Sequence, residues 1–238
     1  EENFNEAIKY IDFLINKKNT SHQILRDKAF VLYKLKKYYE SISICKNVLE
    51  NNKDVNFLNI LGLNYFNQRQ LEKAEEIFMK AYSIEKNNVA ILNSLGRLYH
   101  EKRDSKNAEK FLFKAYRLES NSYEIINNLA GFYREEAIYD KALSLYEEAL
   151  KLNPNNPSIL NNLGKTYFDL DKLDLAEKLS LKAFSINKKD GNVQKILSLI
   201  YLKKQNYELA WKYFDGRLNL SDFVERNSSI HKIRKKLY

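Results

Sequence analysis

The chain has 238 residues with a net charge of +9; 44% of it is hydrophobic and 30% is charged. That apolar share suffices for a continuous core, and no run nears the roughly 18 uninterrupted apolar residues of a membrane-spanning helix. Six glycines, two prolines and one cysteine exclude a turn-rich all-β fold and an internal disulfide framework.

In chain order, residues 3–17 place Phe4, Ala7, Ile11 and Leu14 at helical spacing. They predict a lone helix, the second half of a hairpin whose first half is missing. Because the only methionine is Met79, the chain reads as an excised or processed piece of a longer one. From residue 22 onward a period takes over. Tyr65, Tyr99, Tyr133, Tyr167 and Tyr201 are 34 residues apart, which means one supersecondary unit copied along the chain. Three residues before each tyrosine stands Gly62, Gly96, Ala130, Gly164 or Ser198, preceded by Leu61, Leu95, Leu129, Leu163 or Leu197. These positions share one face of a first helix. The second helix repeats Ala74, Ala108, Ala142, Ala176 and Ala210, then Phe78, Leu112, Tyr146, Ser180 and Phe214, then Ala81, Ala115, Ala149 and Ala183, with Arg217 breaking the series. Stretches such as Asn67-Gln68-Arg69-Gln70 predict turns within hairpins, and Asn153-Pro154-Asn155-Asn156-Pro157 a turn between them. Pro157 suits a first helical turn, where its missing N–H costs nothing.

These columns resemble the tetratricopeptide repeat (TPR). The resemblance implies an all-α, right-handed superhelical solenoid of antiparallel helix pairs over residues 1–222. It comprises the partial repeat 3–17 and repeats near 22–54, 55–88, 89–122, 123–156, 157–190 and 191–222. The family's Trp near the start of the first helix is replaced by Leu58, Leu92, Ile126, Leu160 and Gln194; its closing Pro survives only as Pro154. The first repeat is one residue shorter, with Ala29, Leu32, Ser41, Cys45 and Val48 in the key columns. Residues 223–238 are expected to be a basic capping helix or a linker, since Ile230, Ile233 and Leu237 recur on one face after Ser228.

The side of the first helix opposite Leu61, Gly62 and Tyr65 carries Asn56, Asn59, Leu63, Phe66 and Asn67. In the family this side lines a concave groove that takes peptides. Asn59, Asn93, Asn127 and Asn161 ride on the same period, and Asn128 and Asn162 occupy the next column, where Ile60 and Ser94 do not match. An Asn side chain offers two donors and an acceptor, enough to grip a peptide amide from both sides. The second column resembles the asparagine ladder of the O-GlcNAc transferase superhelix. Asn is common throughout this chain, so the plain alternative is a solvated face. Arg97, Arg134 and Lys165 are read as a further basic column, with Glu101, Glu135 and Asp169 close behind. Intrahelical ion pairing is the simplest role for them. Arg26 with Phe30, and Lys195 with Leu199, do not match the family's chaperone-tail clamp.

No chemistry is evident. His22, His100 and His231 are dispersed without metal-ligand spacing, Cys45 falls in a core column, and no Gly-rich phosphate loop occurs. The expectation is a non-catalytic protein–protein interaction scaffold, without cofactor or metal, holding a peptide or partner segment in its groove. The basic run 231–236 reads as a cation-rich helix end, so nucleic acid is disfavoured. Trp211 and Arg217 in the last repeat resemble a segment that closes bacterial arrays before a glycosyltransferase domain. The alternatives are therefore the substrate-recognition arm of a larger glycosyltransferase, and a scaffold that self-associates through its repeat ends. The single thiol and the absence of a secretory pattern fit a cytoplasmic location.

Overall fold

The structure is a computed structural model that describes residues 2–17, 21–50 and 52–217. The proposed cap at 223–238 and the basic run 231–236 lie outside these residues. Among them there is no strand. After α1 (Glu2–Asn16) come α2 (His22–Lys34), α3 (Tyr38–Glu50), α4 (Val55–Asn67), α5 (Leu71–Ile84), α6 (Val89–Glu101) and α7 (Ser105–Leu118). Then follow α8 (Tyr123–Glu135), α9 (Tyr139–Leu152), α10 (Pro157–Asp169), α11 (Leu173–Ile186), α12 (Gly191–Lys203) and α13 (Tyr207–Arg217). The chain divides into two compact units, Glu1–Ser120 and Asn121–Tyr238. Within each, the two helices of a hairpin pack on each other and on the next hairpin. The architecture is an all-α helical-repeat solenoid.

Local chemistry sets the helix starts. The side chains of Ser21, Asp54, Asn88, Asn156 and Asp190 accept backbone N–H bonds at the beginnings of α2, α4, α6, α10 and α12. They satisfy donors that a helix N-terminus leaves unpaired. The ends of these helices share one device. Lys36, Arg69, Arg103, Ala137, Asp171 and Gln205 all have φ of 58–62°, a left-handed conformation that normally favours glycine. It allows a crossed pair of bonds: Arg69 N–H donates to the Phe66 carbonyl and Gln70 N–H to the Tyr65 carbonyl, each at 3.0 Å. From the second hairpin on, the carbonyl that closes each turn belongs to the tyrosine of the 34-residue period. The tyrosine rings also reach the second helices. Tyr99 Oη donates to Glu75 at 2.8 Å and its ring stacks on Phe111 at 5.6 Å. Tyr201 Oη donates to Glu177 at 2.6 Å and stacks on Tyr213 at 5.6 Å.

Each hairpin closes by matching a small residue to whatever faces it. A Cβ on Gly62 would come within 2.4 Å of the Phe78 ring, so only glycine lets α4 and α5 approach this closely. In the α10–α11 hairpin the facing residue is smaller: a Cβ on Gly164 would come within 2.7 Å of Ser180 Oγ and 3.4 Å of the Ala176 carbonyl. Ser180 is fully buried and its hydroxyl has no partner. Cys45 is fully buried in the first unit, and burial pushes its thiol up to about 12, which removes it as a nucleophile at neutral pH.

Candidate protein-interaction face

The first helices carry the candidate residues. In the first unit α2, α4 and α6 lie side by side; in the second, α8, α10 and α12 do. Asn59, Asn93, Asn127, Asn128 and Asn162 are half-buried on them. The asparagines do not stand as independent hooks. Ser94 Oγ donates to Asn59 Oδ1 at 2.9 Å, and Asn162 Nδ2 donates to Asn127 Oδ1 at 3.1 Å. The bond runs from one first helix to the next at a separation of 35 residues in both cases. Ser94, set aside in the sequence as a mismatch to the second column, therefore takes the part of an asparagine there. The Oδ1 acceptors of Asn59 and Asn127 are thus engaged by the neighbouring first helix.

Asn161 departs from expectation. It is only 4% exposed, and its Oδ1 has no partner. The position that would supply its donor, one period after Asn162, is Ile196, an apolar residue packed among Ala176, Ile200, Tyr167 and Phe168. The ladder thus stops at α10 for want of a donor on α12, and Asn161 lies in the floor beneath the face.

The basic residues also differ from the expected pattern. Arg97 and Lys165 are two periods apart, but the position between them is Gly131, and Arg134 stands three residues further on. Pairing one turn along the same helix is not what these residues do. The Arg97 guanidinium lies over the Phe66 ring, 5.3 Å from its centroid, while Glu101 pairs with Arg69 across helices. Asp169, one turn from Lys165, is taken by Arg134 of α8 at 2.9 Å, and Arg134 also meets Glu135 at 3.2 Å. Burial works against the Arg134 charge, and Asp169 offsets it. Lys165 is half-buried and makes no ion pair or hydrogen bond among the described residues. Burial first, and then the neighbouring Arg134 charge, lower its pKa.

The sequence missed one polar group. Asn64 is fully buried; its Nδ2 donates to Ser41 Oγ and to the Ile60 carbonyl, each at 2.8 Å, and Ser41 Oγ donates to the Ala29 carbonyl at 2.7 Å. The available signal was the polar residue at two facing core columns of neighbouring repeats. Trp211, singled out for the last repeat, is 39% exposed and meets Phe214 edge-on at 5.5 Å. Among the described residues no group of three His, Cys, Asp or Glu side chains is placed to hold a metal ion. No helix there is long and apolar enough to cross a membrane.

Stacked hairpins with a polar first-helix face define a class, the helical-repeat interaction scaffold. Comparison with known proteins gives the family. A profile for the N-terminal TPR repeats region of Psidin matches residues 1–125, a TPR repeat profile matches 133–171, and a tetratricopeptide repeat profile matches 157–190. The chain belongs to the tetratricopeptide-repeat family. Solved structures agree on the fold. A thermophilic TPR protein of Thermus thermophilus, TTC0263, superposes with a TM-score of 0.68 at 20% identity, covering 76% of this chain and 100% of that one. The human IFIT1 dimer with PPP-AAAA gives 0.72 at 18% identity over 89% of this chain and 54% of that one. YrrB, a TPR protein with an unusual peptide-binding site, gives 0.53 at 19% identity over 82% and 97%. No curated protein matches the chain significantly. The family is one of protein–protein interaction scaffolds and is generally non-catalytic.

Proposed function

We propose that the first-helix face binds an extended segment of a partner protein, with asparagine side chains holding its backbone. One observation carries this reading. In the Asn127–Asn162 pair a single hydrogen bond fixes both side chains, yet Asn127 Nδ2 and Asn162 Oδ1 make no bond among the described residues. The pair therefore presents one donor and one acceptor side by side, the complement of a peptide C=O and N–H. Pre-positioning by the mutual bond lowers the ordering cost of binding. YrrB, on the same fold, has a peptide-binding site described as unusual, which is consistent with peptide capture by a TPR face.

The test is fluorescence anisotropy with labelled pools of nine-residue peptides. The native chain is expected to bind at least some pools. Replacing both Asn127 and Asn162 with Ala is expected to weaken that binding at least tenfold while helicity by circular dichroism stays intact. Undiminished binding by the double variant, or no binding of any pool by the native chain, refutes the backbone-gripping role.

A further inference from the structure

Trp211 stands in a column that elsewhere receives the next first helix. Glu75, Glu109, Leu143 and Glu177 hold the same place, one period apart. Glu75 accepts from Tyr99 Oη at 2.8 Å and from Lys102, at separations of 24 and 27 residues; Glu177 meets Tyr201 and Lys204 at the same two separations. First helices meet one another just as regularly. Ser94 reaches Asn59, Asn162 reaches Asn127 and Asp169 reaches Arg134 across 35 residues, and Arg97 lies over Phe66 across 31. After α13 no further helix falls among the described residues, and the surface that α12 and α13 present there is apolar. Leu199 is 38% exposed, Leu202 42% and Trp211 39%.

The sequence that follows α13 matches this surface at the same separations. Val89, Tyr123, Pro157 and Gly191 begin first helices, and Glu225 is next in that series. Ile230 and Ile233 stand 31 residues beyond Leu199 and Leu202, and Leu237 stands 35 beyond Leu202. Lys235 and Tyr238 stand 24 and 27 beyond Trp211. The columns that would face a second helix of the same hairpin hold His231 and Lys232, where earlier repeats have Leu and a small residue. The apolar positions of this segment are therefore those that internal repeats turn toward the preceding hairpin.

We propose that residues 225–238 dock on α12 and α13 of the same chain as a first helix without a second. Ile230, Ile233 and Leu237 cover Leu199 and Leu202, and the Lys235 ammonium lies on the Trp211 ring. Burial of apolar surface supplies the attraction, and a cation over Trp takes the place of the ion pair that Glu makes in earlier repeats. The short tether 218–224 favours this chain's own segment over that of a second copy.

The experiment uses the full chain. Leu202→Cys with Leu237→Cys is expected to form a disulfide within one chain roughly tenfold or more faster than Leu202→Cys with Lys232→Cys, with the fully buried Cys45 left in place. A disulfide that joins two chains instead makes a second copy the occupant and overturns docking within the chain. Equal rates for the two pairs overturn the docking altogether. Trp211 is the only tryptophan, so its fluorescence is a second readout that needs no cysteine. Ile233→Asp is expected to move its emission to longer wavelength with helicity by circular dichroism nearly unchanged, and Lys236→Asp to leave it in place. Emission that ignores Ile233→Asp removes Trp211 from the docking site.

Discussion

The two units repeat one plan and complete it differently. In the first, α4 and α5 close on a full-sized ring: Gly62 makes way for Phe78, which is 1% exposed. In the second, the matching column holds a fully buried ring at Tyr146 but, in the next hairpin, Ser180, buried with an unpartnered hydroxyl. On the first-helix faces the contrast recurs. Asn59 finds a donor in Ser94 and Arg97 a ring in Phe66. In the second unit Asn161 Oδ1 has no donor and Lys165 forms no ion pair among the described residues. Both units leave buried polar atoms unpartnered, Asn64 Oδ1 and Gln68 Nε2 in the first and a larger set that includes Asn161 Oδ1 and Ser180 Oγ in the second. Buried unmet groups cost stability, and exposed or half-buried ones are where a ligand gains most by binding.

This contrast can be broken at its strongest point by two parallel truncations. Phe78→Ala removes a fully packed ring and is expected to cost roughly 3–5 kcal/mol. Ser180→Ala, in the same column of the second unit, removes only an unsatisfied hydroxyl and is expected to be neutral or stabilising by about 1 kcal/mol. Urea titration with circular dichroism measures both; equal losses would mean that the columns are not energetically distinct. A smaller effect sharpens the second unit alone. Asn161→Leu removes the unpaired acceptor at similar branching and is expected to raise the denaturation midpoint by about 1 kcal/mol of stability, measured the same way. A fall would show that the acceptor has a partner such as an ordered water.

The smallest effect is a control that should not separate the units. Glu75 and Glu177 occupy equivalent positions three periods apart. Lys102 and Tyr99 hold the Glu75 carboxyl low; at Glu177 burial pushes upward, but Lys204 and Tyr201 prevail and the pKa is likewise lowered. Each group therefore stabilises the fold above the pKa of about 4.3 of an unfolded Glu, and that contribution is lost as pH falls through the lower folded value. Glu75→Gln and Glu177→Gln are each expected to cost about 0.5 kcal/mol at pH 7 and nothing at pH 2. Thermal melts at the two pH values check this. A large difference between the two variants would mean that the shared motif is not shared in energy.

Much of the hairpin architecture was legible because burial imposes periodicity. The leucine, small-residue and tyrosine columns had to recur for one helix face to pack in every copy, and the caps at Asp54, Asn88 and Asn156 precede the helices they start. The left-handed turn residues were not legible. Arg69, Ala137 and Asp171 share no side-chain chemistry, and their conformation is set by the carbonyl each turn must satisfy. At the candidate face the Asn column was visible as a column, but its members are not equivalent. Asn161 and Asn127 hold the same register, and only the neighbour on the next helix, Ile196 or Asn162, separates a buried orphan from half of a fixed pair.

The sequence by itself thus determined the repeating unit, its helices and which side of each first helix stays polar, because these follow from spacing along one chain segment. Only the tertiary structure decided which charges and amides are engaged within the protein and which are left over. The partner of each such group lies about one full period away, on another helix, and no local pattern records whether it is there.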